Sequence, residues 1–313
     1  MSRKFLGSLV GALSLAALAV SGCGMQPQGG KSADVRMIAT RDFGSDVRGA
    51  TIQQGVSDGD SVLSLTQRSF ANVKTVAGGV GVDSIDGVPR AGRADGSAWN
   101  YWVNGIGSDD SAADFELHGG DRVWWDHHDA RVSRGAINAV VGQYPEPFAH
   151  GAEGKRYPVV LQCAEDADAA CQLVSQQLSA VGASPARQAL GTNVETEVLK
   201  VLVGTWSVVR RDQALRLIDQ GPSRSGVFAR FDADGRQLEL IDSQGRTART
   251  LGAGAGLVAA VKLGEQVPTW GITGTDLAGV RAAAEALDVQ RLRDRFALAT
   301  GADGGDAGLP LQR

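Results

Sequence analysis

The chain has 313 residues, 43% hydrophobic and 21% charged, which is the composition of a globular protein and excludes a disordered or fibrous one. Its 31 lysines and arginines against 35 aspartates and glutamates give a formal net charge of −4. A basic excess is the electrostatic footprint of a nucleic-acid-binding protein, so no nucleic-acid partner is expected. The length allows two domains after a short leader.

Residues 1–22 have the pattern of a secretory signal peptide. Two basic residues precede an uncharged run that is shorter than the roughly 20 apolar residues needed for a membrane span. The run ends in Ser21-Gly22-Cys23, which resembles a bacterial lipobox. The resemblance implies cleavage after Gly22 and a diacylglycerol thioether on Cys23. Two alternatives are an ordinary signal peptide with a chance cysteine and a membrane anchor that is retained.

The lipobox resemblance also predicts a location and a first partner. Acylated Cys23 is expected to bind membrane lipid, because two or more acyl chains anchor a protein stably where one does not. Residues 23–33 are mostly small and polar, and they are predicted to form a flexible tether. The expected location is the cell membrane, with the folded part on the extracytoplasmic side.

Residues 34–132 are predicted to form a first domain of short strands and one helix. Asp58 or Asp60 is a suitable N-cap for that helix, because a carboxylate accepts hydrogen bonds from the free N–H groups of the first turn. Leu63 and Phe70 then fall on one helical face, which is expected to pack against the strands.

Four of the six tryptophans lie in two predicted strands of this domain. Successive side chains of a strand point to opposite faces, so Trp99, Tyr101 and Trp125 are predicted to fill the core beneath the helix. Trp102 and Trp124 then project from the other face. That face is either an exposed aromatic patch, which marks a binding surface, or is covered by the second domain. The candidate ligand or partner surface consists of Trp102, Asn104, Trp124 and His127.

Three stretches of the first domain carry a family resemblance: DGDSVLSLTQ, WNYWVNGIGSDD and LHGGDRVWWD. Together they resemble the small β-rich domain at the C-terminus of transcobalamin and intrinsic factor. The resemblance implies a grasp-like α+β fold with one helix on a mixed sheet. In those carriers the domain closes over the corrin beside a large helical barrel. No helical-barrel pattern occurs in this sequence, so no cobalamin contact is transferred to any of its residues.

The stretch from Asp126 to Asp129, DHHD, raises the question of a metal site. Adjacent histidines on a strand point to opposite faces, so His127 and His128 are not expected to share one ion. The alternative is that His118 joins one of these two histidines across a hairpin. We predict a polar strand end at the rim of the domain, and we expect neither a metal nor another cofactor.

The second half is predicted to alternate strands and helices. Residues 133–156 contain several prolines and are expected to be a linker. Residues 157–300 show the alternation typical of an α/β sandwich around a central sheet. Residues 301–313 are expected to be a disordered tail. The predicted fold class is therefore α+β, a grasp-like domain followed by an α/β domain.

Two cysteines of the second half are candidates for a disulfide. Cys163 ends a predicted strand, and Cys171 lies in a helix predicted to begin near Asp168. A strand-to-helix turn can bring two Cα atoms to the roughly 5.5 Å that a disulfide needs, and disulfides persist in an exported protein. The alternative is two free buried thiols.

The sequence contains no convincing catalytic constellation, so an enzyme is not expected. The favoured function is non-catalytic binding or presentation at the cell envelope, with a small molecule or a protein as the unidentified partner. The alternative is a substrate-binding lipoprotein of an uptake system, with a corrinoid as one candidate substrate.

Overall fold

The computed structural model describes residues 34–57, 59–76, 78–89 and 96–312. The predicted signal peptide, the tether and Cys23 lie outside the described residues. Within the described part of the chain, no helix is long and apolar enough to cross a membrane.

The described residues form a mixed α+β structure. The strands are β1 (Val35–Arg41), β2 (Asp46–Gln53), β3 (Lys74–Thr75), β4 (Val82–Ile85), β5 (Val88–Pro89), β6 (Ser97–Val103), β7 (Ile106–Gly107), β8 (Arg122–Asp129), β9 (Val159–Cys163), β10 (Ala186–Ala189), β11 (Leu199–Thr205), β12 (Ala229–Phe231), β13 (Leu238–Ile241), β14 (Thr247–Leu251), β15 (Gly256–Val261), β16 (Thr269–Gly274), β17 (Ala297–Thr300) and β18 (Asp306–Leu309). The helices are α1 (Val62–Ser69), α2 (Asp168–Ala180), α3 (Trp206–Val209), α4 (Pro222–Ser225), α5 (Leu277–Glu285) and α6 (Val289–Leu292), with 3₁₀ turns at Glu165–Ala167 and Leu215–Gln220.

The first half has the predicted grasp-like fold. Its main sheet has the order β2-β1-β8-β6-β7, with β1 and β8 parallel and the other pairs antiparallel. Helix α1 packs on one face, where Trp99 and Trp125 are buried as predicted. The Trp125 indole N–H donates to the Thr66 hydroxyl at 2.9 Å, so the helix and the sheet are also joined by a buried hydrogen bond.

The helix cap differs from the sequence-based prediction. Ser61 is the N-cap, and it exchanges hydrogen bonds with Ser64 in a capping box. Asp60 instead pairs with Arg68 at 2.7 Å and accepts from the Ser57 N–H, and both contacts lower the pKa of its carboxyl. The prediction failed because it placed the first helical residue too early.

The second half contains the predicted α/β sheet. Its order is β10-β9-β11-β16-β15-β17-β18, in which β10, β9, β11 and β16 are parallel neighbours and the rest pair antiparallel. Helices α2 and α5 cover one face with apolar side chains. The other face packs against α3, the second 3₁₀ turn and the small β12-β13-β14 sheet.

The segment predicted as a linker is packed between the two halves. Ile137 and Val140 join the same apolar cluster as Trp102 and Trp124 of the first sheet and Phe296 of the second half. Residues 32–313 accordingly form one compact unit. The two halves therefore share a core, and the segment predicted as a linker contributes to it.

The predicted disordered tail is also wrong. Residues Asp306–Leu309 form β18, which pairs antiparallel with β17 and closes the second sheet. Leu309 is buried in the shared core, and Asp306 forms a bidentate ion pair with Arg291. The glycine-rich stretch before β18 is therefore a tight turn and not the start of a free tail.

Candidate functional site

The aromatic face predicted as a binding surface is core. Trp102 and Trp124 are only 2% and 0% exposed. Their indole N–H groups donate to the Ile137 carbonyl at 2.9 Å and to the Thr40 hydroxyl at 2.7 Å. Both rings meet Phe296 edge-on, with centroids 5.1 and 4.9 Å apart. The second half covers this face, which was the alternative considered from the sequence.

Asn104 and His127 are buried as well, so the candidate surface is not exposed at any of its four positions. The Asn104 amide donates to Asp121 at 2.7 Å and to the Gly151 carbonyl at 2.8 Å, which ties the first sheet to the former linker segment. His127 lies against Trp99 on the helix side of the sheet, and burial lowers its pKa.

Asp126 and His128 of the DHHD stretch form a buried polar pair, whereas Asp129 at the strand end is partly exposed. The Asp126 carboxylate is fully buried and accepts hydrogen bonds from the Thr40 hydroxyl at 2.5 Å, the Phe43 N–H at 3.1 Å and the Gly44 N–H at 2.9 Å. The His128 Nδ1 lies 2.7 Å from the same carboxylate. Phe43 has a φ of 59°, a left-handed backbone that is uncommon for a bulky residue. Asp126 therefore holds the turn after β1 in a conformation that the chain alone disfavours.

Nothing in the described part of the chain gathers three or more His, Cys, Asp or Glu side chains in an arrangement that could hold a metal ion. His118 is exposed, whereas His127 and His128 are buried on opposite faces of β8.

A groove of about 740 Å³ opens where the second half leaves the first sheet uncovered. Its floor belongs to β1, β2 and β8, on the same face as the buried tryptophans, because Ile38 is the register partner of Trp124. The opposite wall comes from residues 142–144 and 289–294. The apolar lining residues are Met37, Ile38, Val47, Ala50, Ile52, Val123, Tyr144 and Val289.

Two exposed aliphatic side chains mark this groove on the surface. Val47 and Ile52 on strand β2 are 53% and 51% exposed, although both are large and apolar. Solvent-facing aliphatic groups beside a concave, mostly apolar cleft are typical of a ligand site. The volume also lies within the roughly 300–1,000 Å³ range of small-molecule pockets.

The groove wall is fixed by a close backbone approach. A Cβ on Gly142 would lie 2.6 Å from the Arg295 nitrogen and 2.8 Å from the Trp124 ring. Only glycine therefore lets the 142 and 295 backbones meet over Trp124. The wall of the groove at Gly142 therefore packs directly on the buried Trp124 ring.

The groove also carries charge. Arg36, Arg122 and Arg293 line it together with Asp294. Burial raises the pKa of the Asp294 carboxyl, and nearby Arg293 partly opposes that rise. The lining is therefore apolar along its length and net cationic at its polar positions, in a chain of net negative charge.

The groove was not predicted from the sequence. Val289, Arg293 and Asp294 of its wall are more than 200 residues away from the floor strands β1 and β2 in the chain, and no periodicity connects them. The one available signal was the VRGATI stretch of β2, in which Val47 and Ile52 are apolar residues that have no partner strand on their outer side.

Two comparisons with known proteins match part of the chain. Residues 59–129 match the family model of a domain of unknown function, DUF4430. A crystal structure of a provisionally named metal-binding protein from Ruminococcus gnavus ATCC 29149 is similar over 31% of this chain and 97% of its own length, with 10% identity and a TM-score of 0.25. A TM-score this low assigns neither fold nor function. No curated protein matches the chain. The transcobalamin-like resemblance stays a prediction.

The predicted disulfide is confirmed. Cys163 at the end of β9 is bonded to Cys171 in α2, with the Cα atoms 6.0 Å apart. The helix begins at Asp168, as the sequence indicates. The bond links the strand and the helix that cover the same core.

We expect reduction of this disulfide to lower the free energy of unfolding by roughly 2–3 kcal/mol, the chain-entropy value for so short a loop. The measurement is a denaturant melt with and without reductant. The Cys163→Ala/Cys171→Ala double variant is the control, and its melt should not respond to reductant. Alkylation of both wild-type cysteines without prior reduction would contradict the prediction.

Proposed function

We propose that this chain is a lipid-anchored, extracytoplasmic binding protein that holds a small amphipathic ligand in the groove between its halves. The observation that carries the proposal is the groove itself, which is the uncovered part of a sheet face that the second half otherwise buries. Because the shared core fixes both walls, the groove is preformed, and a preformed site loses little entropy on binding.

The side chains that line the groove are suited to binding a ligand without catalysing a reaction. Aliphatic side chains supply contact area, and guanidinium groups remain protonated at any physiological pH, so they fix an anionic group without exchanging protons. The proposal therefore assigns the groove a holding role, in agreement with the non-catalytic function favoured from the sequence. Uptake of a corrinoid is the alternative that the same experiment examines.

The groove is tested by filling it. Ala50→Trp places an indole on the floor at an exposed position of edge strand β2, and Ala186→Trp is the matched control on edge strand β10. Octanoate, octan-1-ol and cyanocobalamin are titrated calorimetrically into the chain from residue 23, carrying Cys23→Ser, after its cooperative melting has been verified.

We expect at least one of these probes to bind, and Ala50→Trp to weaken that binding at least tenfold because the indole occupies the ligand volume. Ala186→Trp should change the affinity less than twofold. If cyanocobalamin binds to the wild type and Ala50→Trp abolishes that binding, the uptake alternative is favoured. If no probe binds, or if both tryptophan variants behave alike, the groove is not the ligand site.

The proposed location depends on Cys23. Cys23→Ser is expected to move the protein out of the membrane fraction or to stall its processing, because serine cannot carry the thioether-linked lipid. Ser21→Ala keeps a small residue before the cysteine and should fractionate like the wild type. Cell fractionation and labelled fatty acid measure both. Label that still attaches to the Cys23→Ser variant would contradict the proposed anchor.

A further inference from the structure

Two arginines stand side by side on the floor of the groove. Arg36 on β1 and Arg122 on β8 are register partners in the parallel pair, so their side chains leave the same face about 4.8 Å apart at the backbone. Like charges at adjacent positions of a sheet destabilise it. Burial lowers the pKa of the Arg122 guanidinium; Glu146 opposes this decrease, and nearby Arg36 adds to it.

The Arg122 side chain already has partners within the protein. Its Nη1 donates to the Tyr144 carbonyl at 3.3 Å and to the Gln143 carbonyl at 3.5 Å, and its Nε lies 3.7 Å from the buried Glu146 carboxylate. Arg122 therefore braces the 143–144 segment, and its positive charge is partly balanced.

The side chains of Arg36 and Arg293 differ from Arg122 in this respect. Among the residues that the structure describes, neither side chain has an ion pair or a hydrogen bond, although both line the groove. Arg36 comes from the floor and Arg293 from the wall. Two guanidinium groups, each with five N–H donors, thus border one apolar channel.

We propose that the ligand of this groove is a single-chain amphiphile with an anionic head group, which the guanidinium groups of Arg36 and Arg293 bind. The acyl chain lies against Ile38, Ile52 and Val289. The inference rests on the proposed function and adds the ligand's chemical class. Charge complementarity carries it, because three guanidinium groups and one carboxylate, Asp294, line the groove, so the polar part of the lining has a net positive charge. A carboxylate head and a phosphate head share this chemistry.

The test compares ligands that differ only in the head. Octanoate, octyl phosphate and octan-1-ol are titrated into the Cys23→Ser chain from residue 23. Arg36→Gln removes the charge, Arg36→Lys keeps it, and Arg48→Gln is the control on neighbouring strand β2, where Arg48 pairs with Asp46 outside the groove. We expect Arg36→Gln to weaken the anionic ligands about tenfold or more, the value of a lost hydrogen bond to a charged group.

Arg36→Gln should change the affinity for octan-1-ol less than twofold. Arg36→Lys should bind the anionic ligands more tightly than Arg36→Gln and less tightly than the wild type. Arg48→Gln should change no affinity by more than twofold. Stronger binding of octyl phosphate than of octanoate would identify a phosphate-headed ligand, and the reverse a carboxylate. If Arg36→Gln weakens all three ligands equally, or none, the anionic-head proposal is overturned. In that case the proposed function is still supported if Ala50→Trp blocks binding of the probes. The proposed function is contradicted only if no probe binds in the groove.

Discussion

Trp124→Ala is expected to lower the free energy of unfolding by about 3–5 kcal/mol, the cost of truncating a fully buried tryptophan. The Trp124 ring lies 4.9 Å from Phe296 and 5.9 Å from Trp102, and its N–H donates to Thr40, so truncation opens a cavity and leaves a buried hydroxyl without its donor. Because this core belongs to both halves, both should lose stability in one transition.

A chemical denaturation curve followed by circular dichroism and by tryptophan fluorescence measures this effect. Val80→Ala is the control, since Val80 is half exposed and its truncation should cost less than about 0.5 kcal/mol. If Trp124→Ala unfolds at the same denaturant concentration as Val80→Ala, Trp124 is not in the core. Two separate transitions would instead show that the halves are independent.

Asp126→Ala is expected to be similarly damaging, at about 3–5 kcal/mol, because it removes an acceptor from several buried donors at once. The buried Phe43 N–H and the partly buried Gly44 N–H would lose their acceptor, and the Thr40 hydroxyl would keep only its 3.3 Å contact to the Trp125 carbonyl. The left-handed turn that these bonds hold should loosen at the same time.

The matched control for Asp126→Ala lies on the same strand. Asp129→Ala removes a carboxylate whose partner, Arg131, is largely exposed, and exposed ion pairs contribute at most about 1 kcal/mol. Denaturant melts of the two variants, with amide exchange of Phe43 and Gly44, test the difference. Equal stabilities for the two variants would mean that the buried carboxylate does not hold the turn.

Local pattern was enough to predict much of the fold. The period-two alternation around Trp99 placed it and Trp125 correctly under α1, because one face of that sheet is covered by a helix close by in sequence. The strand-helix alternation of the second half and the turn between Cys163 and Cys171 are also local features.

The segments that cover the opposite face of this sheet could not be predicted, because they are distant from it in the chain. Trp102 and Trp124 have the alternation of an exposed patch, and later segments of the chain bury them, among them Ile137, Val140 and Phe296. Asp126 lies on the same face of β8 and is fully buried, although the sequence alone assigns it to a rim. The groove is the remainder of that face, so predicting it would have required knowing how far the cover extends.

Hydrogen–deuterium exchange with and without octanoate tests the central claim most directly, namely that the uncovered part of this face is the ligand site. Bound ligand is expected to slow exchange in residues 47–52 of the floor and in residues 289–294 of the wall, while 99–103 in the packed core stay unchanged. Protection confined to residues 190–198, which line a separate polar cleft, would contradict the account, as would the absence of any protection at saturating octanoate.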